Sequence, residues 1–374
     1  MLRHLESAAL PAVSAVGLAT SPERDAAILA TEYLAYSIQY RRLLLRFPLG
    51  PGPYRERLLD AMAWLLVDLH RAGVYWGDCS LANTLFRRDG DKIQAFLVDA
   101  ETSEIHRSLS DGQRAYDLEI LVENVAYGLA DLAALQERPD GIDDAIDLAE
   151  GVRTTYTALW AEIHAATELA PDDRHAIRAR IRAMNDLGFA VDEISLEPMA
   201  GGSGAVRLRV AVANRRFHVR KLERLTGIVA LEGQARLLLN DLEEYRAWIE
   251  YHEARELTEP DAAERWLEEV LEPALASLVP AIGPLRDPLQ AYCDVLEEKW
   301  ILSEMAGGDV GLEAAKEAYI ALGAPAPESV DEPAETSIVL DIDWSTGLDD
   351  GSDGPPDEAA GDVQRGRPSA TIDP

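Results

Sequence analysis

The sequence predicts an α+β protein, mainly helical, and three observations carry that expectation. Apolar residues recur at helical spacing over long runs, most clearly in residues 54–72, where Leu58, Met62, Leu65, Leu66 and Leu69 share one face. Short extended runs bounded by turn residues read instead as strands, as at 84–86 and 95–98 around Arg88-Asp89-Gly90-Asp91. Richness in Ala, Leu, Arg and Glu, with only 6% aromatics, tilts the balance toward helices.

In chain order, residues 1–9 read as a helix closed by Pro11. Runs 12–18 and 26–33 form a hairpin about the turn at 21–25, and a lone hairpin needs something to pack on. A helix over 36–46 is broken by the Pro/Gly run at 48–53. The helix at 54–72 ends at Gly73, a C-cap candidate, and a short strand follows at 74–76. Residues 116–135 are apolar enough for a buried helix, and further helices occupy 140–165 and 171–187. Alternation at 193–199 and 206–213 then predicts a second hairpin through residues 200–204, with Arg207 and Arg209 on the face opposite Val206, Leu208, Val210 and Val212. Helical patterns follow at 217–225, 233–255, 261–278, 285–305 and 312–322, with Thr258 as an N-cap and Pro273 as a kink or break.

At 374 residues the chain is long enough for two domains and a tail. A formal net charge of -32 argues against nonspecific binding of nucleic acid or anionic membrane over the whole surface. No apolar run approaches the length of a membrane span, and the amino terminus lacks the basic-then-apolar pattern of a signal peptide. With only Cys79 and Cys293, a disulfide framework is not expected, so the reading is of a cytoplasmic protein. Beyond residue 323 the Pro, Gly, Ser, Asp and Glu composition predicts disorder, interrupted by an apolar island at 337–344 that serves as a docking peptide or a plain spacer.

The chemistry concentrates at Asp78, Asn83 and Asp99. Five residues separate the first two, with small or apolar side chains between them. On a tight loop that spacing points a carboxylate and an amide oxygen into one cavity, the first to take a proton from an attacking hydroxyl and the second to coordinate a metal. Asp99, ending an apolar run, adds a second hard oxygen, and such a set suits magnesium on nucleotide phosphates. Asp and Asn also serve as turn and cap residues, so no one of the three carries the reading alone.

Their order is more specific. A helix ending Leu69-His70-Arg71-Ala72-Gly73-Val74, a loop Gly77-Asp78 leading to Asn83-Thr84-Leu85-Phe86, and a strand ending at Asp99 resemble the core of the protein-kinase-like fold. The Gly77-Asp78 start looks most like lipopolysaccharide kinases and other bacterial small-molecule kinases. The resemblance implies a mainly helical kinase-like C-lobe with a truncated N-lobe, followed by a mostly helical domain containing a β-hairpin. It implies Asp78 as catalytic base, Asn83 and Asp99 as Mg2+ ligands, and Glu32, Tyr33 and Leu34 as the hinge that meets the adenine of ATP. Asp117, in Ala115-Tyr116-Asp117-Leu118, matches the buried aspartate that anchors the catalytic loop.

The sequence departs from that pattern in several places. Trp76 stands where the family usually has His, and Ala100-Glu101 replaces the usual Phe-Gly. Neither a Gly-rich loop nor a Val-Ala-x-Lys strand precedes the hinge, and Glu6 lacks the Lys that would pair with it. Those parts hold and neutralise the phosphates. Two readings follow: an ATP-dependent phosphotransferase acting on a hydroxyl of a small molecule or glycan, its N-lobe incomplete in this sequence, or a pseudokinase-type binding scaffold that engages a protein partner through its second domain or tail. The expected organisation is a kinase-like domain at 1–165, a connecting helix at 166–190, a mixed helical domain at 191–322 and an acidic disordered tail at 323–374.

Three lesser features complete the reading. His70 reads as a hydrogen-bonded core histidine, Trp76 as a packing residue and Cys79 as an inert thiol. In so acidic a chain the cluster Arg207, Arg209, Arg215, Arg216, His218, Arg220, Lys221 and Arg224 is unexpected. It is either an internally paired face or a patch for phosphate, an acidic partner or the acidic tail, with nucleic acid the weakest of these readings.

Overall fold

A short helix, α1 (Leu2–Ser7), leads into an antiparallel hairpin of β1 (Ala15–Ser21) and β2 (Ala26–Thr31). The structure is a computed structural model that describes residues 1–21, 26–44, 53–137, 141–169, 173–198 and 206–325. Backbone bonds tie this opening segment to the strand ending at Leu97: Val13 N donates to Leu97 O at 3.0 Å and Leu97 N to Pro11 O at 2.9 Å. The hairpin's own apolar side chains, Val16, Leu18 and Ile28 among them, stay exposed.

Where the spacing predicts one helix at 36–46, the chain forms β3 (Ile38–Gln39) and then α2 (Tyr40–Leu44). Tyr36 has φ +60°, which breaks any continuous helix there. Ile38 and Gln39 then pair with Phe86 and Leu85. Helix α3 (Pro53–Arg71) follows, with Leu58, Met62, Leu65, Leu66 and Leu69 all buried as their spacing predicts. It stops at Gly73, whose φ of +76° suits glycine, and a Cβ there would sit 2.2 Å from His106 O.

Beyond Gly73 come β4 (Val74–Tyr75), β5 (Thr84–Asp89), β6 (Lys92–Leu97) and β7 (Glu104–Ile105). They make two small antiparallel sheets, β3-β5-β6 and β4-β7. Helix α4 (Asp111–Leu135) begins five residues before the expected start because Ser110 and Gln113 form a capping box: Gln113 N donates to Ser110 Oγ at 3.2 Å and Ser110 N to Gln113 Oε1 at 3.0 Å. It buries one face, through Leu118, Leu121, Val125, Leu129 and Leu132, and not its whole surface, since Tyr116 and Tyr127 are exposed. With α5 (Gly141–His164) it packs on α3 to complete the first hydrophobic core.

The segment at 166–190 holds more than a connecting helix. Strand β8 (Thr167–Leu169) precedes α6 (Arg174–Asp186) and joins β9 (Val191–Pro198) and β10 (Val206–Val212) in a sheet ordered β8-β10-β9. Three residues are too few to show an alternation, which is why the sequence reveals only the hairpin. Phe189 belongs to the first core and lies 6.1 Å from Trp64, ring to ring.

Helices α7 (Phe217–Thr226), α8 (Glu232–Glu253), α9 (Glu259–Trp266), α10 (Glu272–Ile282), α11 (Pro288–Ala306) and α12 (Leu312–Ala321) build a second core around Leu238, Leu242, Trp266 and Tyr292. Thr258 caps α9 by accepting from Asp261 N at 3.3 Å. The break expected at Pro273 is a single π-helical turn, Leu267–Leu271, placed just before the proline. A wider turn accommodates a ring that cannot donate to the carbonyl behind it.

One contact between the two cores bears on the site. The β5–β6 turn, with Gly90 at φ +64°, is gripped from α8 and α11. Asp89 Oδ1 accepts from Gln234 N at 2.7 Å, and Gln290 bonds Gly90 twice, at 2.9 Å from Gly90 N and 2.9 Å to Gly90 O. Arg87–Asp287 at 2.7 Å, Arg88–Asp294 at 2.8 Å and Arg236–Asp91 at 2.7 Å surround it. Gly233 is required here: a Cβ on it would lie 2.3 Å from Asp89 O. The architecture is α+β, with helices dominant in both parts. Among the described residues no helix is long and apolar enough to cross a membrane. Of the tail expected at 323–374, residues 323–325 are described and are ordered: Ala324 is buried in the second core and its N donates to Tyr319 O at 2.9 Å. The rest, including the island at 337–344, and the loop at 200–204 lie outside the described residues.

Candidate active site

The loop between β4 and β5 is shaped by one buried carboxylate. Asp117, on the second turn of α4, is completely buried. Its Oδ2 accepts from Trp76 N at 2.8 Å and lies 2.9 Å from His70 Nε2, while Oδ1 accepts from Gly77 N at 2.8 Å and Cys79 Sγ at 3.1 Å. Burial alone would raise this carboxyl's pKa, but the bonds from His70, Trp76 and Gly77 together outweigh it and hold the group below its ordinary value. Gly77 has φ +84°, and a Cβ there would meet Thr102 O at 2.9 Å. The loop therefore turns outward at the residue before Asp78.

Asp78 is exposed at the head of this loop and Asn83 is half-buried at its end. Asn83 Nδ2 donates to Asp78 Oδ2 at 2.8 Å and to Asp78 O at 3.2 Å, and Asn83 N donates to Ser80 Oγ at 3.2 Å. With its nitrogen turned to Asp78, the amide presents Oδ1 for another partner. The β5–β6 register then brings in Asp99: Thr84 pairs with Leu97 and Val98 N donates to Asn83 O at 3.0 Å. Asp99 follows at once, exposed, with Oδ1 accepting from Glu101 N at 3.1 Å. Two carboxylates and an amide oxygen thus sit at the open end of one hairpin.

Hard oxygen donors of this kind fit Mg2+, which takes one or two carboxylates and keeps several waters. Among the described residues no group of three or more His, Cys, Asp or Glu is placed to hold a metal. The set here has two carboxylates, Asp78 and Asp99, with Asn83 as its third oxygen donor.

His70, Trp76 and Cys79 are packed as the sequence suggests. His70 Nδ1 lies 2.7 Å from Tyr156 Oη, and burial lowers the His70 pKa against the raising effect of Asp117. The neutral ring therefore donates from Nε2 to Asp117 and accepts at Nδ1 from Tyr156. Burial, then the nearby Asp117, push the Cys79 thiol well above its usual range. That thiol is inert. Trp76 fills the core, and its carbonyl accepts from Thr102 Oγ1 at 2.9 Å. Sequence reasoning missed three supports of the loop: Tyr156, Thr102 and Asn124, whose Nδ2 donates to Cys79 O at 2.9 Å. Asn124 and Tyr156 are common residue types far from the motif, so only the fold brings them there, and Thr102, three residues past Asp99, carries no signal of its own.

The expected hinge is less integrated. Glu32 N donates to Ser14 O at 2.9 Å, Leu34 O accepts from Ser37 Oγ at 2.8 Å, and Tyr33 is 85% exposed. Among the described residues no hydrogen bond or ion pair joins Glu32, Tyr33 or Leu34 to the Asp78 loop. Glu6 borders a different cavity. The basic cluster divides: Arg215 pairs with Asp68 at 3.2 Å, and Lys221 with Glu243 and Glu259 at 3.4 and 3.2 Å. Arg216 and Arg220 have no ion pair among the described residues. The side chain of Arg209 lies outside what the structure describes, and Arg207 has no ion pair there.

Residues 1–138 match the lipopolysaccharide kinase (Kdo/WaaP) family. The kinase-family segment includes the Asp117 anchor, the Asp78 loop and the β5–β6 hairpin. Residues 158–322 match a second family, described as a domain of unknown function (DUF4032). Among solved structures, one described as WaaP in complex with acyl carrier protein is similar at 22% identity, over 42% of this chain and 73% of that one, with a TM-score of 0.28. None of the curated proteins compared with the chain matches it.

Proposed function

We propose that the kinase-family segment serves phosphoryl transfer from ATP to a hydroxyl of a small molecule or glycan, in a cytoplasmic setting. One observation carries this reading: a single hairpin and its loop bring Asp78, Asn83 and Asp99 together on a buried anchor, Asp117. Asp78 would accept the proton of the attacking hydroxyl, and its bond to Asn83 fixes the carboxylate's direction. Asn83 and Asp99 would hold Mg2+, which when bound neutralises phosphate charge. Glu32, Tyr33 and Leu34 would meet the adenine. The order of the motifs and the match at 1–138 support these roles.

A second reading, a pseudokinase-type scaffold that binds without transfer, is favoured by one feature. Trp76 and Ala100-Glu101 stand where the resemblance expects His and Phe-Gly beside the metal-binding Asp99. In that reading the DUF4032 domain or the tail engages a protein partner.

Thermal shift of the full chain with Mg2+ and ATP, followed by product analysis, tests both. Binding at about 100 times Kd stabilises the folded state by roughly 2.7 kcal/mol. The expected result is a metal-dependent shift in the wild type that is lost in Asp99→Ala and in Asn83→Ala. No metal-dependent shift in the wild type would remove the reason for assigning Asn83 and Asp99 to Mg2+ and would leave only the scaffold. A shift without transfer to any hydroxyl would select the scaffold.

A further inference from the structure

A cavity of about 800 Å3 lies away from the Asp78 loop, walled by residues 6–14, the end of α3, β6, residues 212–216 and the start of α7. Four arginines line it: Arg71, Arg215, Arg216 and Arg220. Its carboxylates are mostly committed. Asp68 pairs with Arg215 at 3.2 Å, and Arg215 also donates to Gln94 Oε1 at 2.7 Å. Glu232 accepts from His218 N at 3.0 Å and Val219 N at 3.2 Å and lies 2.7 Å from His218 Nδ1, so the amino end of α7 already holds its anion. Glu6 is exposed at the border.

The other three guanidinium groups lack a carboxylate in contact among the described residues, and two of them, Arg71 and Arg220, reach one short segment. Arg71 Nη2 donates to the carbonyls of Val212 at 2.6 Å and Ala213 at 3.1 Å. Arg220 Nη2 donates to Asn214 Oδ1 at 3.0 Å. Arg216 N donates to Asn214 O at 3.0 Å, and its side chain has no hydrogen bond or ion pair among the described residues. Burial disfavours the charge of Arg71, with only Asp68 and Asp192 nearby to support it. With Arg216 lining the same cavity, three donor groups of fixed planar shape exceed what one carboxylate satisfies, whereas a tetrahedral phosphate presents three oxygens to them. The volume is that of a small-molecule site.

We propose that this cavity binds a small molecule carrying a phosphate or diphosphate group, held by Arg71, Arg216 and Arg220. The site is separate from the Asp78 centre and does not depend on that centre's activity.

Calorimetric titration of the full chain with inorganic phosphate, pyrophosphate and citrate tests it. Pyrophosphate is expected to bind more tightly than citrate. In Arg216→Gln/Arg220→Gln its affinity falls by roughly tenfold or more, the scale of a lost charged hydrogen bond. Lys221→Gln, which disturbs only the pair with Glu243 and Glu259, leaves it unchanged. The single variant Arg220→Gln, at an exposed position, shows a smaller fall in the same direction and stands in if the double variant folds poorly. No binding of phosphate or pyrophosphate overturns the proposal. So does tighter binding of citrate, or an affinity for pyrophosphate that the arginine substitutions leave intact, as binding at the Asp78 loop would give.

Discussion

His70 and Asp117 are an ionisable pair held in opposite states by one environment. Burial keeps His70 neutral, while hydrogen bonds keep Asp117 ionised in spite of burial. A histidine whose folded pKa lies below its ordinary 6.5 binds fewer protons folded than unfolded once the pH drops below that value. Stability is therefore unaffected above pH 6.5 and falls as pH falls from 6.5 toward the folded pKa, by at most about 1.4 kcal/mol per pH unit for one proton. Asp117 adds a later loss with the same sign, as pH drops below 3.8 through its depressed value. The buried carboxyls of Asp68, Asp89 and Asp241, all raised first by burial, act oppositely and only above 3.8, losing stability as pH rises through that range. Melting temperatures between pH 5 and 8 are expected to drop on the acid side of 6.5 in the wild type, and that acid slope should be shallower in His70→Gln. An identical slope in the variant would mean that His70 is not the titrating group. The identities of His70 and Asp117 were legible from their places in the motif, but Tyr156 was not: its phenol reaches His70 across 86 positions of sequence.

The hairpin β5–β6 is the element that gives the site its geometry, and its two ends answer to different parts of the chain. Asn83 and Asp99 stand at the open end, while the turn at Asp89-Gly90-Asp91 is held by α8 and α11. Gln290→Ala removes both bonds to Gly90, leaving a buried amide and carbonyl without partners at about 1–3 kcal/mol each. Gly233→Ala forces a methyl group to within 2.3 Å of Asp89 O unless the backbone shifts, and small-to-large changes of this kind cost about 1–3 kcal/mol. Both variants are expected to melt lower than the wild type and to show faster amide hydrogen exchange in residues 84–97. Unchanged exchange there would show that the turn does not depend on the grip. Sequence patterns revealed this hairpin, since Arg88-Asp89-Gly90-Asp91 is turn chemistry between apolar runs. They missed β3, β7 and β8, whose two or three residues carry no period, and of the equally short strands they read only β4. The start of α4 went unread for a related reason: Ser110 and Gln113 make sense as a capping box only once the helix behind them is known.

Taken as one body, residues 1–325 have two hydrophobic cores that divide between Val212 and Val219, inside the second family segment and not at its start. Phe189 and Leu187, which precede the second family segment's hairpin, pack with the first core, as does Val212 from its last strand. Arg71 bonds the carbonyls of Val212 and Ala213, and Arg215 lies over the ring of Trp64 at 4.7 Å. Polar joints of this kind are weak when exposed. Here Asp89, Gln234, Gln290 and Asp294 are buried, so separating the cores would leave their partners unsatisfied or return all of them to water at once. Each core should therefore be more stable against the other than alone. The full chain is expected to unfold in urea with one midpoint, whether followed by hydrogen exchange in α3, which reports the first core, or in α8, which reports the second. Gln290→Ala, placed on the joint, should lower both midpoints together. Leu238→Ala, inside the second core, should do the same at a larger cost of about 2–5 kcal/mol, because a cavity there is felt through the shared surface. If α8 loses protection at a lower urea concentration than α3, or if Leu238→Ala shifts only α8, the cores are independent. The hairpin carrying Asn83 and Asp99 would then keep its shape without the second domain.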